Sequence, residues 1–126
     1  MVALLSACGG SGDHADIVLA RHPDHGVVGT SCVLHPNAAW QQHDFVWEQL
    51  LGKNTGGVGP LGVAEDVREN GIGLALAAQV TELLHERGVK TSYVGWTWLV
   101  DWYGKLGYRV WQEYVMSWQK LCKEKV

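Results

Sequence analysis

Short apolar runs separated by glycine-rich breaks organise this chain. Asp16–Arg21, with Ile17, Val18 and Leu19, predicts a strand, and Val27–Leu34 predicts a second. Between them His22-Pro23-Asp24-His25-Gly26 predicts a turn in which Gly26 supplies positive φ, so the pair reads as an antiparallel hairpin. His35-Pro36-Asn37 breaks the pattern. Trp40, His43, Trp47, Leu50 and Leu51 then recur at helical spacing over about Ala38–Leu51, with Asn37 as N-cap. Gly52–Gly59 reads as a loop and Val58–Val63 as a short apolar strand. A long helix is expected over Gly71–Arg87, strongest from Leu74 to His85 and stopped by Gly88. Val89–Trp96 is the next strand, through Val89, Thr91, Tyr93 and Val94. Thr97 caps a short helix over Trp98–Leu106 that ends at Gly107. Tyr108–Trp118, rich in aromatic and β-branched residues, reads as a final long strand. The order β-β-α-β-α-β-α-β predicts an α/β fold, a mixed sheet with helices on its faces, in a single domain over residues 1–126.

Composition narrows the class. At 47% hydrophobic and 18% charged the chain is globular rather than disordered. A net charge of −3, with no basic cluster before Lys120, Lys123 and Lys125, gives no reason to expect nucleic acid as a partner. The three cysteines, Cys8, Cys32 and Cys122, are odd in number and widely spaced, which argues for free thiols in a reducing, cytoplasmic compartment. Leu5-Ser6-Ala7-Cys8 has the look of a lipoprotein cleavage site, but no Lys or Arg precedes it and the apolar run is short. No stretch approaches membrane-spanning length, so no membrane partner is expected. His22-x-x-His25 falls in a turn, and Cys32-x-x-His35 on a strand points its side chains to opposite faces. Neither makes a tetrahedral set, and no metal is expected.

The chemistry concentrates at Arg68-Glu69-Asn70-Gly71-Ile72-Gly73, between a strand and a helix. The first amides of a helix lack intrahelical acceptors and lie at the positive end of its dipole, and glycine lets an anion approach the backbone. A dinucleotide fingerprint fails twice: Leu76 stands where a third glycine or alanine is needed, and Val89–Trp96 carries no acid. A Walker loop fails for want of Gly-Lys-Ser/Thr. What remains, Arg-x-x-Gly-x-Gly, resembles motif A of the GNAT superfamily of acyl-CoA-dependent N-acyltransferases. Trp102-Tyr103-Gly104-Lys105-Leu106-Gly107-Tyr108 is similar to that family's Tyr-x-Lys-x-Gly-Phe segment, at the usual separation. The resemblance covers roughly Ile17 to Trp118. It implies a GNAT-like, mostly antiparallel twisted sheet flanked by helices. Only Met1–Ala15 precedes the first hairpin strand, so the usual N-terminal strand and two helices are expected to be missing.

By resemblance, the pyrophosphate of acetyl-CoA would lie on the amides of Asn70, Gly71, Ile72, Gly73 and Leu74, with Arg68 at its rim. The strand end Leu61–Val63 would pair with the pantetheine arm as an added strand. Tyr103 would protonate the departing thiolate. Lys105 would reach a phosphate, against the plainer reading of a surface lysine after a helix. Two departures stand out. Trp96 occupies a position where the family often has Asn, and Val58–Val63 lacks the usual carboxylate base. A base is needed because an ammonium must lose its proton before attack, so water or a carboxylate from elsewhere must serve. Asp101 and Asp44 are the candidates. Asp101 stands about 200° round a helix from Tyr103 and is equally a first-turn carboxylate favoured by the helix dipole. Asp44 is equally an exposed helix residue.

Seven tryptophans are unusual in a chain of this size. Most read as packing residues, while Trp96 and Trp47, with Asp101, are the acceptor-side candidates, because indole faces suit a sugar ring. Gly95–Gly104 also resembles GNAT domains attached to or encoded with β-N-acetylglucosaminidases, which implies an amino sugar, glucosamine above all, as the small amine. The competing expectation is a non-catalytic acyl-CoA-binding or dimerisation module. The short N-terminal lead and the single strand after the last helix leave a thin acceptor wall and an unpaired sheet edge, so a homodimer is expected.

Overall fold

In a computed structural model of the chain, residues 2–7, 15–34 and 48–122 are described. Strands β1 (Val2–Ala7), β2 (Ala15–His22), β3 (Gly26–Leu34), β4 (Thr55–Val63) and β5 (Thr91–Val94) form one sheet in that spatial order. The pairings β1·β2, β2·β3 and β3·β4 are antiparallel, and β4·β5 is parallel. Helix α1 (Glu48–Leu51) precedes β4, a 3-10 turn (Glu65–Val67) follows it, and α2 (Ile72–Glu86) and α3 (Val100–Gly104) flank β5 in the sequence. The architecture is the mixed, mostly antiparallel α/β sheet that the sequence predicts.

The hairpin forms through Gly26, whose φ of 72° closes the turn. α2 packs one face on the sheet: Leu76, Val80 and Leu84 are fully buried against Val18, Val28, Val33, Val58 and Val89. Each such side chain contributes roughly 1.5–3 kcal/mol when taken from water. Gly88, at φ 83°, ends the helix, and the amide of Val89 returns to the Leu84 carbonyl at 3.0 Å.

Four expectations need correcting. Val2–Ala7, read from the sequence only as small and apolar, is strand β1, in register with β2 from Val2 opposite Ala20 to Ala7 opposite Ala15. Thr55, Gly56 and Gly57 belong to β4 rather than to a loop. Their glycines reflect crowding, since a Cβ on Gly56 would stand 2.7 Å from Leu84 Cδ2 and 2.8 Å from the Leu34 carbonyl. β5 is shorter than expected, four residues in place of Val89–Trp96. Tyr108–Trp118 forms no strand among the described residues, although its residues have strand propensity. A strand exists only where a second backbone completes its ladder, and here none does. Of the helix expected from Ala38, the last turn appears as α1, while Asp44 and Trp47 lie outside the described residues.

Candidate active site

β4 carries the geometry of the site. Ser31 of β3 pairs with Leu61, whereas Val33 pairs with Val58, so Gly59-Pro60 supplies one more residue than the facing strand. Proline has no N–H for the ladder and glycine adapts to a bulge, so this dipeptide belongs at such a break. A Cβ on Gly59 would lie 2.8 Å from that of Cys32, which bars any larger residue. β5 pairs with β4 only from Thr55·Thr91 to Val58·Val94. Past that point the two parallel strands have no paired residues, and the edge of Gly59–Val63 faces an open cleft of about 840 Å³.

The floor of the cleft is Leu61 and Val63 from β4, and its near end is the turn into α2, with Arg68, Glu69, Gly71, Ile72, Gly73 and Leu74. Its far wall is Val94, Gly95, Trp96, Leu99, Trp102, Tyr103 and Lys105. Glu69 and Gly71 both take left-handed backbone, at φ 69° and 77°. Alternation of that kind gathers successive amides into an anion-binding concavity. α2 makes its first intrahelical bond from the Ala75 amide to the Gly71 carbonyl, at 3.0 Å, so the amides before Ala75 have no intrahelical acceptor. Arg68 Nε donates to the Val63 carbonyl at 3.0 Å, tying the turn to the end of β4 and leaving the terminal nitrogens for other acceptors. Asn70 is placed differently from its neighbours. Its Nδ2 donates to the Val67 carbonyl at 3.1 Å, and its side chain faces a smaller hollow beside Arg21 and His22.

Both motifs meet at Gly73. A Cβ there would lie 3.3 Å from Trp102 Cζ2, so the missing side chain is the seat of α3 on the start of α2. Tyr103, next in sequence, is half-buried on the cleft. Burial pushes its hydroxyl above the ordinary phenol value, and the neighbouring Tyr108 adds to the effect. Tyr103 is therefore a protonated donor throughout the neutral range. Burial likewise pushes the Cys32 thiol up.

Asp101 is exposed in the first turn of α3 and does not line the cleft. Among the described residues the only carboxylate lining it is Glu69, which sequence reasoning passed over as part of the turn. Its left-handed φ was not legible, because strain at a non-glycine residue has no signature in the sequence. Gly59-Pro60, also passed over, did carry a signal: proline inside a strand pattern marks a bulge or an edge. The turn histidines meet with their rings tilted at 45°, 4.7 Å between centroids, and His22 Nδ1 accepts the Asp24 amide. Among the described residues no group of three or more His, Cys, Asp or Glu converges on a metal position. No described helix is long and apolar enough to cross a membrane.

A sheet whose parallel strand pair opens beside a glycine turn at a helix start is the fold of the GNAT acyltransferases, and several solved structures similar to the chain are acetyltransferases. One is a GCN5-related glucosamine N-acetyltransferase region within a fungal multi-domain GH3 β-N-acetylglucosaminidase, 33% identical, with a TM-score of 0.69. The match covers 79% of this chain and 12% of that much longer one. Another is a Trypanosoma brucei acetyltransferase, 19% identical, TM-score 0.59, covering 83% of this chain and 68% of that one. A third is an aminoglycoside N-acetyltransferase in complex with CoA, 16% identical, TM-score 0.56, covering 88% and 79%. No protein-family model matches the chain, and no curated protein does. The chain has the GNAT fold, and its structural neighbours are GNAT acetyltransferases.

Proposed function

We propose that the chain is an acetyl-CoA-dependent N-acetyltransferase acting on a small primary amine, with glucosamine as the acceptor. The observation that carries this reading is one cleft holding an anion-binding turn at one end, a free strand edge along its floor and a protonated tyrosine on its far wall. The pyrophosphate is taken by the amides from Asn70 to Leu74 with Arg68, and Lys105 adds a charge from the far wall. The pantetheine amides extend along Leu61–Val63 as a strand. The neutral amine attacks the thioester carbonyl, backbone amides receive the oxyanion, and Tyr103 gives its proton to the sulfur as the C–S bond breaks. The amine's own proton leaves through water to a carboxylate, for which Asp101 and Asp44 are the candidates and Glu69 the one that borders the cleft. Trp96 is the acceptor-side candidate that borders the cleft, and Trp47 and Asp101 are the further candidates for contact with the amine. Glucosamine is suggested by the 33%-identical glucosamine N-acetyltransferase region and by the exposed Trp96 ring beside the cleft.

Acetyl-CoA consumption is expected to rise on adding glucosamine and to fall about 10²-fold or more in Tyr103→Phe. Unchanged turnover in that variant would remove the acid role. A second reading, a non-catalytic acyl-CoA-binding or dimerisation module, is favoured by the absence of a carboxylate on β4 and by the outward position of Asp101. Calorimetric CoA binding with no turnover on a panel of amines would establish it.

The same proposal includes a homodimer working in the cytoplasm. β5 is the last strand of the sheet, and its outer edge is unpaired among the described residues. Val110, Val115, Met116 and Trp118 stand exposed on the segment that follows Tyr108, which is rich in strand-forming residues. A second copy would cover both. A strictly monomeric species in sedimentation at micromolar concentration would rule this out.

A further inference from the structure

α3 has five residues and fully buries none of them, so its hold on the core rests on a few partly buried rings, Tyr103 among them. The Tyr103 ring is met on one edge by Trp102, with centroids 4.7 Å apart, and on another by Tyr108, at 6.0 Å and 75°. Tyr108 is itself fixed at both ends. Its amide donates to the Tyr103 carbonyl at 3.4 Å. Its hydroxyl lies 2.8 Å from Thr81 Oγ1 on α2 and 2.6 Å from Ser92 Oγ on β5.

Counting protons gives these bonds a direction. Thr81 Oγ1 has one proton and donates it to the Ala77 carbonyl at 2.8 Å, so toward Tyr108 it can only accept. Tyr108 therefore donates to Thr81, and Ser92 must donate to Tyr108. The result is an ordered run from Ser92 through Tyr108 and Thr81 to the Ala77 carbonyl, in which the Tyr108 and Thr81 hydroxyls each give and receive one bond. The family-like segment that ends here would have phenylalanine where this chain has Tyr108. The one added oxygen ties the segment to both the helix and the strand that border the cleft.

We propose that Tyr108 is a positioning residue for acyl transfer: its hydroxyl, locked between α2 and β5, holds the ring against which Tyr103 is set. This rests on the reading of Tyr103 as the acid. The donor contacts lie mainly on β4 and the turn into α2, so loosening Tyr108 acts on the rate and not on acetyl-CoA affinity.

The test is steady-state kinetics of the full chain with acetyl-CoA and glucosamine, with NMR titration of ring-labelled tyrosine. Tyr108→Phe is expected to lower kcat about tenfold with KM for acetyl-CoA within about twofold, because small displacements of a reacting group are costly in rate. Thr81→Val, which keeps the helix and removes the acceptor, is expected to do the same, and the double variant to fall no further than either single one. The Tyr103 ionisation is expected to move down in Tyr108→Phe, which removes the Tyr108 charge, and also in Thr81→Val, where only looser packing can move it. A kcat within twofold of the parent in Tyr108→Phe, when Tyr103→Phe has lost the rate, would overturn the positioning role and leave the acid role standing. Equal proportional losses in kcat and CoA affinity, or fully additive variants, would also overturn it, showing general loosening of the fold. Retention of rate in Tyr103→Phe would instead remove the acid role, and an unmoved Tyr103 titration in Thr81→Val would remove the positioning of its ring by Tyr108.

Discussion

Along the β4–α2 wall, the cleft is made of buried side chains and defined backbone: Leu76, Val80 and Leu84 seat the helix, and left-handed Glu69 and Gly71 shape the turn. The opposite wall, from Gly95 to Tyr108, has no fully buried side chain. Trp96 is 60% and Trp98 88% exposed, and their rings meet edge-on 6.1 Å apart. Under the proposed function, the difference follows from what each wall would recognise. A pyrophosphate asks for amides and a dipole, which a short turn on a packed helix supplies from the backbone alone. An acceptor amine asks for particular side chains, and these stand on a short helix held by a few contacts. The wall proposed for the donor is seated on buried side chains, whereas the opposite wall has open apolar surface that a substrate or a second copy would cover.

That contrast breaks most clearly in stability. Leu84→Ala, at a fully buried position beneath the donor wall, is expected to cost about 2–5 kcal/mol in urea unfolding. Trp98→Ala, on the acceptor wall, should stay within about 0.5 kcal/mol. Similar losses in the two would mean that the acceptor wall is also load-carrying. The next effect is on the donor turn. Gly71→Val places a β-branched residue at φ 77°, where nothing crowds the new Cβ, so any loss is conformational. At about 1–2 kcal/mol for that backbone, CoA affinity by calorimetry should weaken roughly tenfold, and Gly71→Asn should retain most of it. Equal weakening in both would show that the turn acts through space and not through dihedral angle.

A smaller effect is expected at Trp96. Trp96→Ala should raise KM for glucosamine by a few-fold and leave KM for acetyl-CoA nearly unchanged, since an aromatic face contributes about 0.5–1.5 kcal/mol beyond its area. The reverse pattern would exchange the two walls. The smallest effect is a shift in pH dependence. Tyr103 acts only while protonated, so activity is present below its pKa and is lost as pH rises through it. With that pKa raised above 10.0 by burial, the alkaline limb of kcat should lie beyond the ordinary phenol value, and Trp102→Leu should bring it back down. An unmoved limb in Trp102→Leu would mean that the limb reports another group.

Local chemistry in the sequence was enough for much of this. Gly26 and Gly88 fell where the backbone needs positive φ, and the helix read as strongest from Leu74 to His85 lies within α2. Arg68-x-x-Gly71-x-Gly73 and Tyr103-x-Lys105-x-Gly107 both border the same cleft, apart from Gly107. Other features depended on partners distant in the chain. Gly56 and Gly57 read as loop residues because their reason, the approach of Leu84 and Tyr93, lies more than a helix away. Val2–Ala7 is a strand because β2 pairs with it, and Tyr108–Trp118, with better propensity, is not, for want of a neighbour.

The sequence alone determined that a glycine turn opens a helix after a strand and that a tyrosine helix follows one strand later, because capping, periodicity and turn chemistry are local. Only the tertiary structure decided that β4 bulges at Gly59-Pro60 and parts from β5, that Trp102 rests where Gly73 has no side chain, and that Tyr108 is bound by Thr81 and Ser92. Those contacts join residues far apart in sequence, and packing and hydrogen bonding across such separations leave no periodic trace in a single chain.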